Sequence, residues 1–208
     1  KKFEILLKKK LHSKYATVVN SGSSALLLVG KILKWKKGDL VAVPPITFLS
    51  SVNTVEHCGA NPVFVDINMD DYCMDPKKLE IILNKDKYKK IKAAIVTDYG
   101  GQPAQWEKFF YLKKKYKIIL INDNCHAIGS SIKKNFGYAT KYADFATLSF
   151  HPVKAITTGE GGAILTNNLN YDKKAKLLRS HGMERNNNRY WTYKMHDPGF
   201  NFRLPDIN

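Results

Sequence analysis

Short apolar runs separated by amphipathic stretches set the rhythm of this chain. Residues 15–19, 40–43, 62–65, 93–96, 118–121 and 145–150 are rich in Val, Ile, Leu and Ala and are bounded by Gly, Pro, Asn or Asp, which predicts strands buried on both faces. Between them the period changes. Phe3, Ile5, Leu6 and Leu7 follow helical spacing in the segment ending at Lys10, residues 20–24 form a small-residue turn that opens a helix, and residues 47–59 read as a helix closed by Gly59. An acidic turn at Asp66, Asp70 and Asp71 precedes Asp75, which is placed to cap a helix over 76–83 with Pro76 in its first turn. Residues 106–116 read as a further helix. Apolar strands alternating with amphipathic helices predict an α/β fold whose mostly parallel sheet is covered on both faces. Towards the end the order weakens. Residues 177–181 read as the end of a helix, 183–199 as a long loop rich in turn formers, and 201–208 as the start of another helix at Pro205-Asp206. No internal repeat or low-complexity linker interrupts the chain.

Composition narrows the class. In 208 residues, 44% hydrophobic and 12% aromatic content is enough for a substantial core, so a disordered chain is excluded. The formal charge of +16 raises a nucleic-acid hypothesis, but the basic residues are mostly Lys and scattered rather than gathered in an Arg-rich stripe. That field is better suited to attracting phosphorylated small molecules. Cys58, Cys73 and Cys125 show no CxxC spacing and are odd in number, which indicates neither a metal site nor a disulfide framework and fits reduced, cytoplasmic thiols. No run approaches a membrane span, and the start has too short an apolar core for a signal peptide.

Four clusters at the ends of the apolar runs carry chemistry. The stretch SFHPVKAITTGEGG sets Lys154 between a hydrophobic run and a glycine-rich turn, where a desolvated lysine can act as a neutral amine toward a carbonyl; the alternative is a surface lysine beside a turn. Asn20-Ser21-Gly22-Ser23-Ser24 before a helix suits a phosphate, held by backbone amides and the helix N-terminus, or is an ordinary Ser/Gly cap. Asp123 ends a strongly apolar run, where an unpaired carboxylate is costly, with His126 three residues on; it either faces a ligand crevice or caps the next turn. Phe48, after Pro44-Pro45, either stacks on a flat ring or packs in the core. A phosphate grip, a partner for a ring nitrogen, a ring platform and an amine tether are together the parts that pyridoxal phosphate needs.

These segments resemble the DegT/DnrJ/EryC1/StrS sugar aminotransferase family along nearly the whole chain. NSGSSAL resembles its phosphate segment, PPITFLSSVN its P-x-x-TF segment, NDNCHAIGS its aspartate segment, SFHPVKAITTGEGGAILTN its lysine segment, and RSHGM with GFNFRLPDIN its downstream substrate loop and subunit-crossing segment. The resemblance implies a fold type I pyridoxal-phosphate enzyme with a seven-stranded sheet in an α/β/α sandwich. By position it implies that Lys154 forms the aldimine, Asp123 pairs with the pyridine nitrogen, Phe48 stacks on the ring and His126 lies near the ring's edge. Gly22, Ser23 and Ser149 would hold the phosphate, Asn201 would reach the phosphate of a neighbouring subunit in a homodimer with shared sites, and His151, Glu160, His181 and Arg185 would be substrate-side groups.

The same resemblance implies ping-pong amino transfer from L-glutamate to a nucleotide-linked keto sugar. The segments are most similar to the branch acting on a UDP-linked 4-keto-6-deoxy-N-acetylhexosamine on the route to pseudaminic acid, with the branch forming 4-amino-4-deoxyarabinose second. A reading from another class is a non-catalytic regulatory or nucleic-acid-binding module on the same fold, against which an intact Lys154 and Asp123 argue. The family also carries an N-terminal arm and a C-terminal small domain with no counterpart here, so residues 1–208 are expected to be the large, cofactor-binding domain of a longer protein.

Overall fold

The computed structural model describes residues 2–185 and 191–208, with the backbone alone at Arg185. Its elements follow the order α1 (Lys2–Lys10), β1 (Tyr15–Val19), α2 (Gly22–Ile32), β2 (Leu40–Val43), α3 (Ser50–His57), β3 (Asn61–Phe64), α4 (Pro76–Lys85), β4 (Ile91–Thr97), a 3₁₀ turn (Tyr99–Gly101), α5 (Trp106–Tyr116), β5 (Ile119–Asp123), α6 (Tyr138–Tyr142), β6 (Phe145–Ser149), β7 (Gly162–Thr166), α7 (Leu169–Arg179), β8 (Met183–Arg185) and β9 (Tyr193–Met195). Strands β1 to β7 form one sheet in the order β1-β7-β6-β5-β4-β2-β3. Strand β7 runs antiparallel to both neighbours and every other pairing is parallel, so six strands end on the same edge of the sheet.

Both faces of this sheet are covered, and the alternation of strand side chains decides which residue meets which helix. Val18, Ala42, Leu120, Ala146 and Leu165 pack with α1, α4, α5 and α6, whereas Val19, Val41, Ile121, Phe145 and Ile164 pack with α2, α3 and α7. The buried strands read as continuous apolar runs because neither face meets water. Caps mark several helix starts: Ser21 Oγ accepts from Ser24 N at the start of α2, the Asp75 carboxylate accepts from Lys77 N ahead of Pro76, and Asn168 Oδ1 accepts from the amides of Asn170 and Tyr171.

Two expectations from the sequence need correction. The segment 183–199 is not a featureless loop: β8 and β9 pair antiparallel in a small sheet of their own, Met183 opposite Met195 and Arg185 opposite Tyr193. Every side chain of β9 is exposed, so the ribbon leaves no hydrophobic period to read. Residues 201–208 do not begin a helix. Asn201 bridges to Ser180, the Phe202 amide donates to Arg179 O, and Phe202 O accepts from Asn20 N, which holds 201–202 extended, while after Pro205 the Asn208 amide donates to Pro205 O at 3.2 Å and closes a single turn rather than a helix.

Candidate active site

The carboxyl ends of β1, β5 and β6 and the start of β7 converge on one cleft of about 310 Å3, lined on one side by Ser21, Gly22, Ser23, Phe48 and Ser50 and on the other by Asp123, Cys125, His126, Ser149, His151, Val153, Lys154 and Glu160. Register explains the convergence. Asp123 lies opposite both Thr97 and Thr147, and Ser149 lies opposite Gly162, which in turn faces Val19. A Cβ on Gly162 would come within 2.4 Å of the Ser21 carbonyl carbon, so glycine there lets the β1 turn close over the sheet.

At the start of α2, the small-residue turn both caps the helix and borders the cleft. Ser21 is the N-cap, while Gly22 and Ser23, the first helical residues, face the cleft. A Cβ on Gly22 would meet the Ser149 Cβ at 2.8 Å and the Cys125 Sγ at 3.3 Å. The missing side chain therefore leaves an open cradle between a helix N-terminus and the Ser149 hydroxyl, a donor set matched to a phosphate.

Asp123 is 3% exposed. Its Oδ2 accepts from Ser51 Oγ at 3.0 Å, its Oδ1 accepts from the Cys125 amide at 3.3 Å, and Ser51 is in turn met by Thr47 Oγ1, which lies 2.8 Å from Thr97 Oγ1. The aspartate thus does cap its own turn, yet it also lines the cleft. Two bonds leave carboxylate lone pairs for a donor arriving from the cleft. Phe48 is 65% exposed at the cleft wall, which decides against a core role and leaves a ring face free to cover a flat ligand.

Lys154 sits on a loop whose ends are pinned by the Phe150 amide donating to Gly161 O and the Thr158 amide donating to Phe150 O. It is half-buried rather than buried, because its neighbours from His151 to Thr157 are exposed and only the cleft side of the loop is walled. Its charge is felt by two groups. Desolvation first, then Lys154, hold the His126 imidazole below its ordinary pKa, with Asp123 opposing. Burial first, then Asp123, push the Cys125 thiol well up, with Lys154 opposing, so this cysteine is a neutral lining group.

Of the substrate-side candidates, His151 and Glu160 line the cleft with Nε2 and Oε1 3.8 Å apart. His181 does not line it; its amide donates to Phe200 O and its φ is 63°. Asn201 is exposed and also lies outside the cleft. Arg185 ends β8, and its side chain lies outside the described residues. Sequence reasoning missed Ser50 and Ser51, whose signal was a hydroxyl pair directly after Phe48-Leu49 at the start of α3. It also missed Asp98, which is fully buried one residue beyond β4. The argument that singled out Asp123, a carboxylate closing an apolar strand, applies equally to Asp98.

With the geometry established, comparison with known proteins gives a consistent picture. The UDP-4-amino-4,6-dideoxy-N-acetyl-beta-L-altrosamine transaminase of Campylobacter jejuni strain 81-176 is 42% identical over 206 residues, which cover 99% of this chain and 53% of that protein. The chain spans about half the length of the curated relatives it matches. Among solved structures, Helicobacter pylori PseC, an aminotransferase involved in the biosynthesis of pseudoaminic acid, superposes with a TM-score of 0.88 at 33% identity, over 99% of this chain and 53% of that one. NtdA from Bacillus subtilis, solved with bound cofactor PMP, superposes with a TM-score of 0.87 at 30% identity, over 99% of this chain and 45% of that one. The family model for these enzymes matches residues 1–208, and the chain belongs to the DegT/DnrJ/EryC1/StrS aminotransferase family.

Proposed function

We propose that these residues form the cofactor-binding large domain of a pyridoxal-phosphate aminotransferase that carries an amino group from L-glutamate to the 4-keto carbon of a UDP-linked 4-keto-6-deoxy-N-acetylhexosamine by ping-pong turnover. The observation that carries this reading is the meeting, in one cleft, of an amine, a buried carboxylate, an exposed aromatic ring and a glycine-floored helix N-terminus. Each matches one part of the cofactor. The Gly22 cradle beside Ser149 suits the phosphate, Asp123 the ring nitrogen, Phe48 the ring face and Lys154 the aldehyde.

When bound, the cofactor supplies an aldehyde carbon that carries the amino group and a ring that accepts the electron pair left behind by the α-proton. The protein's own groups do the rest. Lys154 Nζ would hold the aldehyde and, once freed by the incoming amino acid, would move the proton at the substrate's α carbon as general base and acid. Asp123, held by Ser51, would keep a proton on the ring nitrogen. His151 and Glu160, facing each other across the cleft wall, are the substrate-side groups this reading assigns. Asn201, exposed and outside its own cleft, is read as serving the neighbouring subunit of a homodimer.

The sugar assignment is supported by the Campylobacter relative. It is tested by giving the complete gene product L-glutamate with a panel of keto sugars and following 2-oxoglutarate. Amination of the UDP-linked hexose supports the assignment. Amination of the 4-keto pentose with the hexose ignored would move the enzyme to another branch of the family.

A further inference from the structure

Asp98 has no part in the site as assigned so far, yet it is the most heavily coordinated carboxylate among the described residues. It is 0% exposed, and its partners among the described residues are neutral donors. Its Oδ1 accepts from the Ala104 amide at 2.9 Å and from Trp106 Nε1 at 2.8 Å; its Oδ2 accepts from Asn122 Nδ2 at 3.0 Å, Asn124 Nδ2 at 2.9 Å and Tyr138 OH at 2.7 Å. Asn124 Nδ2 also donates to the Tyr138 oxygen at 2.8 Å. Burial holds the Asp98 carboxyl above its ordinary pKa, and the bonds from Ala104, Tyr138, Trp106 and Asn122 oppose that rise.

What these bonds hold is the informative part. Asn122 and Asn124 flank Asp123, and strand alternation sends them to the α5 face while Asp123 points to the α2 face and the cleft. One carboxylate oxygen therefore grips the residues on both sides of Asp123 from behind. The Asp98 amide also donates to Asp123 O at 3.2 Å. From this juxtaposition we infer that Asp98 is a positioning residue, which fixes the end of β5 so that the Asp123 carboxylate stays aimed at the ring nitrogen of the cofactor. The inference rests on the proposed cofactor-dependent activity. A core network serving stability alone would be equally buried, but it would have no need to close on both neighbours of one site residue.

Asp98→Asn is the informative variant, because it keeps shape and can still accept from Ala104 and Trp106 while turning an N–H group toward the two asparagines and Tyr138. Tyr138→Phe removes one donor and serves if the first variant fails to fold. In the complete gene product, the readouts are pyridoxal phosphate affinity, the pH titration of the bound cofactor's absorbance, and thermal unfolding of the cofactor-free protein. A ring nitrogen no longer held protonated withdraws fewer electrons. Asp98→Asn should therefore move the titration midpoint upward and weaken cofactor binding by roughly tenfold, the scale at which groups orienting a ligand act. Tyr138→Phe should do the same to a lesser degree. If both variants unfold earlier but titrate and bind as wild type does, Asp98 is a core group and the inference is overturned. Wild-type protein that forms no covalent adduct with the cofactor would overturn the functional reading beneath it.

Discussion

Asp98 and Asp123 close neighbouring strands on the same edge of the sheet, and they are treated in opposite ways. Asp98 faces α5 and α6, sealed from water, and its oxygens are filled by five donors from the chain. Asp123 faces α2 and α3 across the cleft and receives one hydroxyl and one long backbone bond, leaving capacity for a ligand. A buried carboxylate that the fold has fully satisfied is structural capital, whereas one left partly satisfied at a cleft is a waiting acceptor. The sheet separates the two by a single step of side-chain alternation.

Breaking each aspartate should fail differently. If Asp123 partners the ring nitrogen as proposed, Asp123→Asn should lower amino transfer by about 10³-fold with little change in melting temperature, as steady-state assays and thermal unfolding would report. Asp98→Ala strands two N–H groups, two carboxamides and a phenol in the core and should cost about 3 kcal/mol of stability or more, read from denaturant unfolding of the complete protein. If the two losses came out exchanged, the contrast drawn between the faces would be wrong. A smaller effect is expected on the cleft side from Gly22→Ala, whose Cβ would meet the Ser149 Cβ at 2.8 Å. It should weaken cofactor and inorganic phosphate binding together by roughly tenfold, since overpacking there costs on the order of 1–3 kcal/mol.

Ser51→Ala sharpens the account of Asp123 itself. Losing a donor to a charged acceptor is worth about 1.5–3 kcal/mol, so turnover should fall by about tenfold or more without the collapse seen for Asp123→Asn. The least expected effect is on pH dependence. His126 titrates below its ordinary 6.5 because desolvation and Lys154 disfavour the imidazolium. The unfolded chain therefore takes up this proton first as pH falls, and His126 withdraws stability from about pH 6.5 downward to its folded pKa, with no contribution above that range. Melting curves of wild type and His126→Asn should keep a constant separation above neutrality and shift in favour of the variant in mild acid.

Much of this was legible in the residues. Apolar runs bounded by Gly, Pro and Asp placed six of the sheet's strands, five because strands buried on both faces leave an unbroken hydrophobic signature, and the edge strand β3 by its Pro-Val-Phe-Val run although it is half exposed. The seventh, Gly162–Thr166, was hidden inside the lysine segment, where its glycines read as turn. The cleft residues Gly22, Ser23, Phe48, Asp123, His126, Ser149, His151, Lys154 and Glu160 were nominated from strand ends and motif resemblance, and they line one cavity. His181 and Asn201 lie away from it, since their placement depends on a hairpin and an extended segment held by backbone bonds that no local pattern encodes. Asp98 escaped notice although it too follows an apolar run, because TDYGGQP alone does not show that five donors, three of them from residues 122, 124 and 138, will surround it. Lys154, expected to be desolvated, is half-buried, which leaves its amine reachable from the cleft.

Because Lys154 is one of 34 lysines and arginines, the direct test of the account is where the cofactor attaches. The complete protein, incubated with pyridoxal phosphate and reduced with borohydride, would be digested and its peptides mapped by mass. The account predicts a single modified peptide carrying Lys154. No modification, or one spread over other lysines with Lys154 untouched, would contradict it.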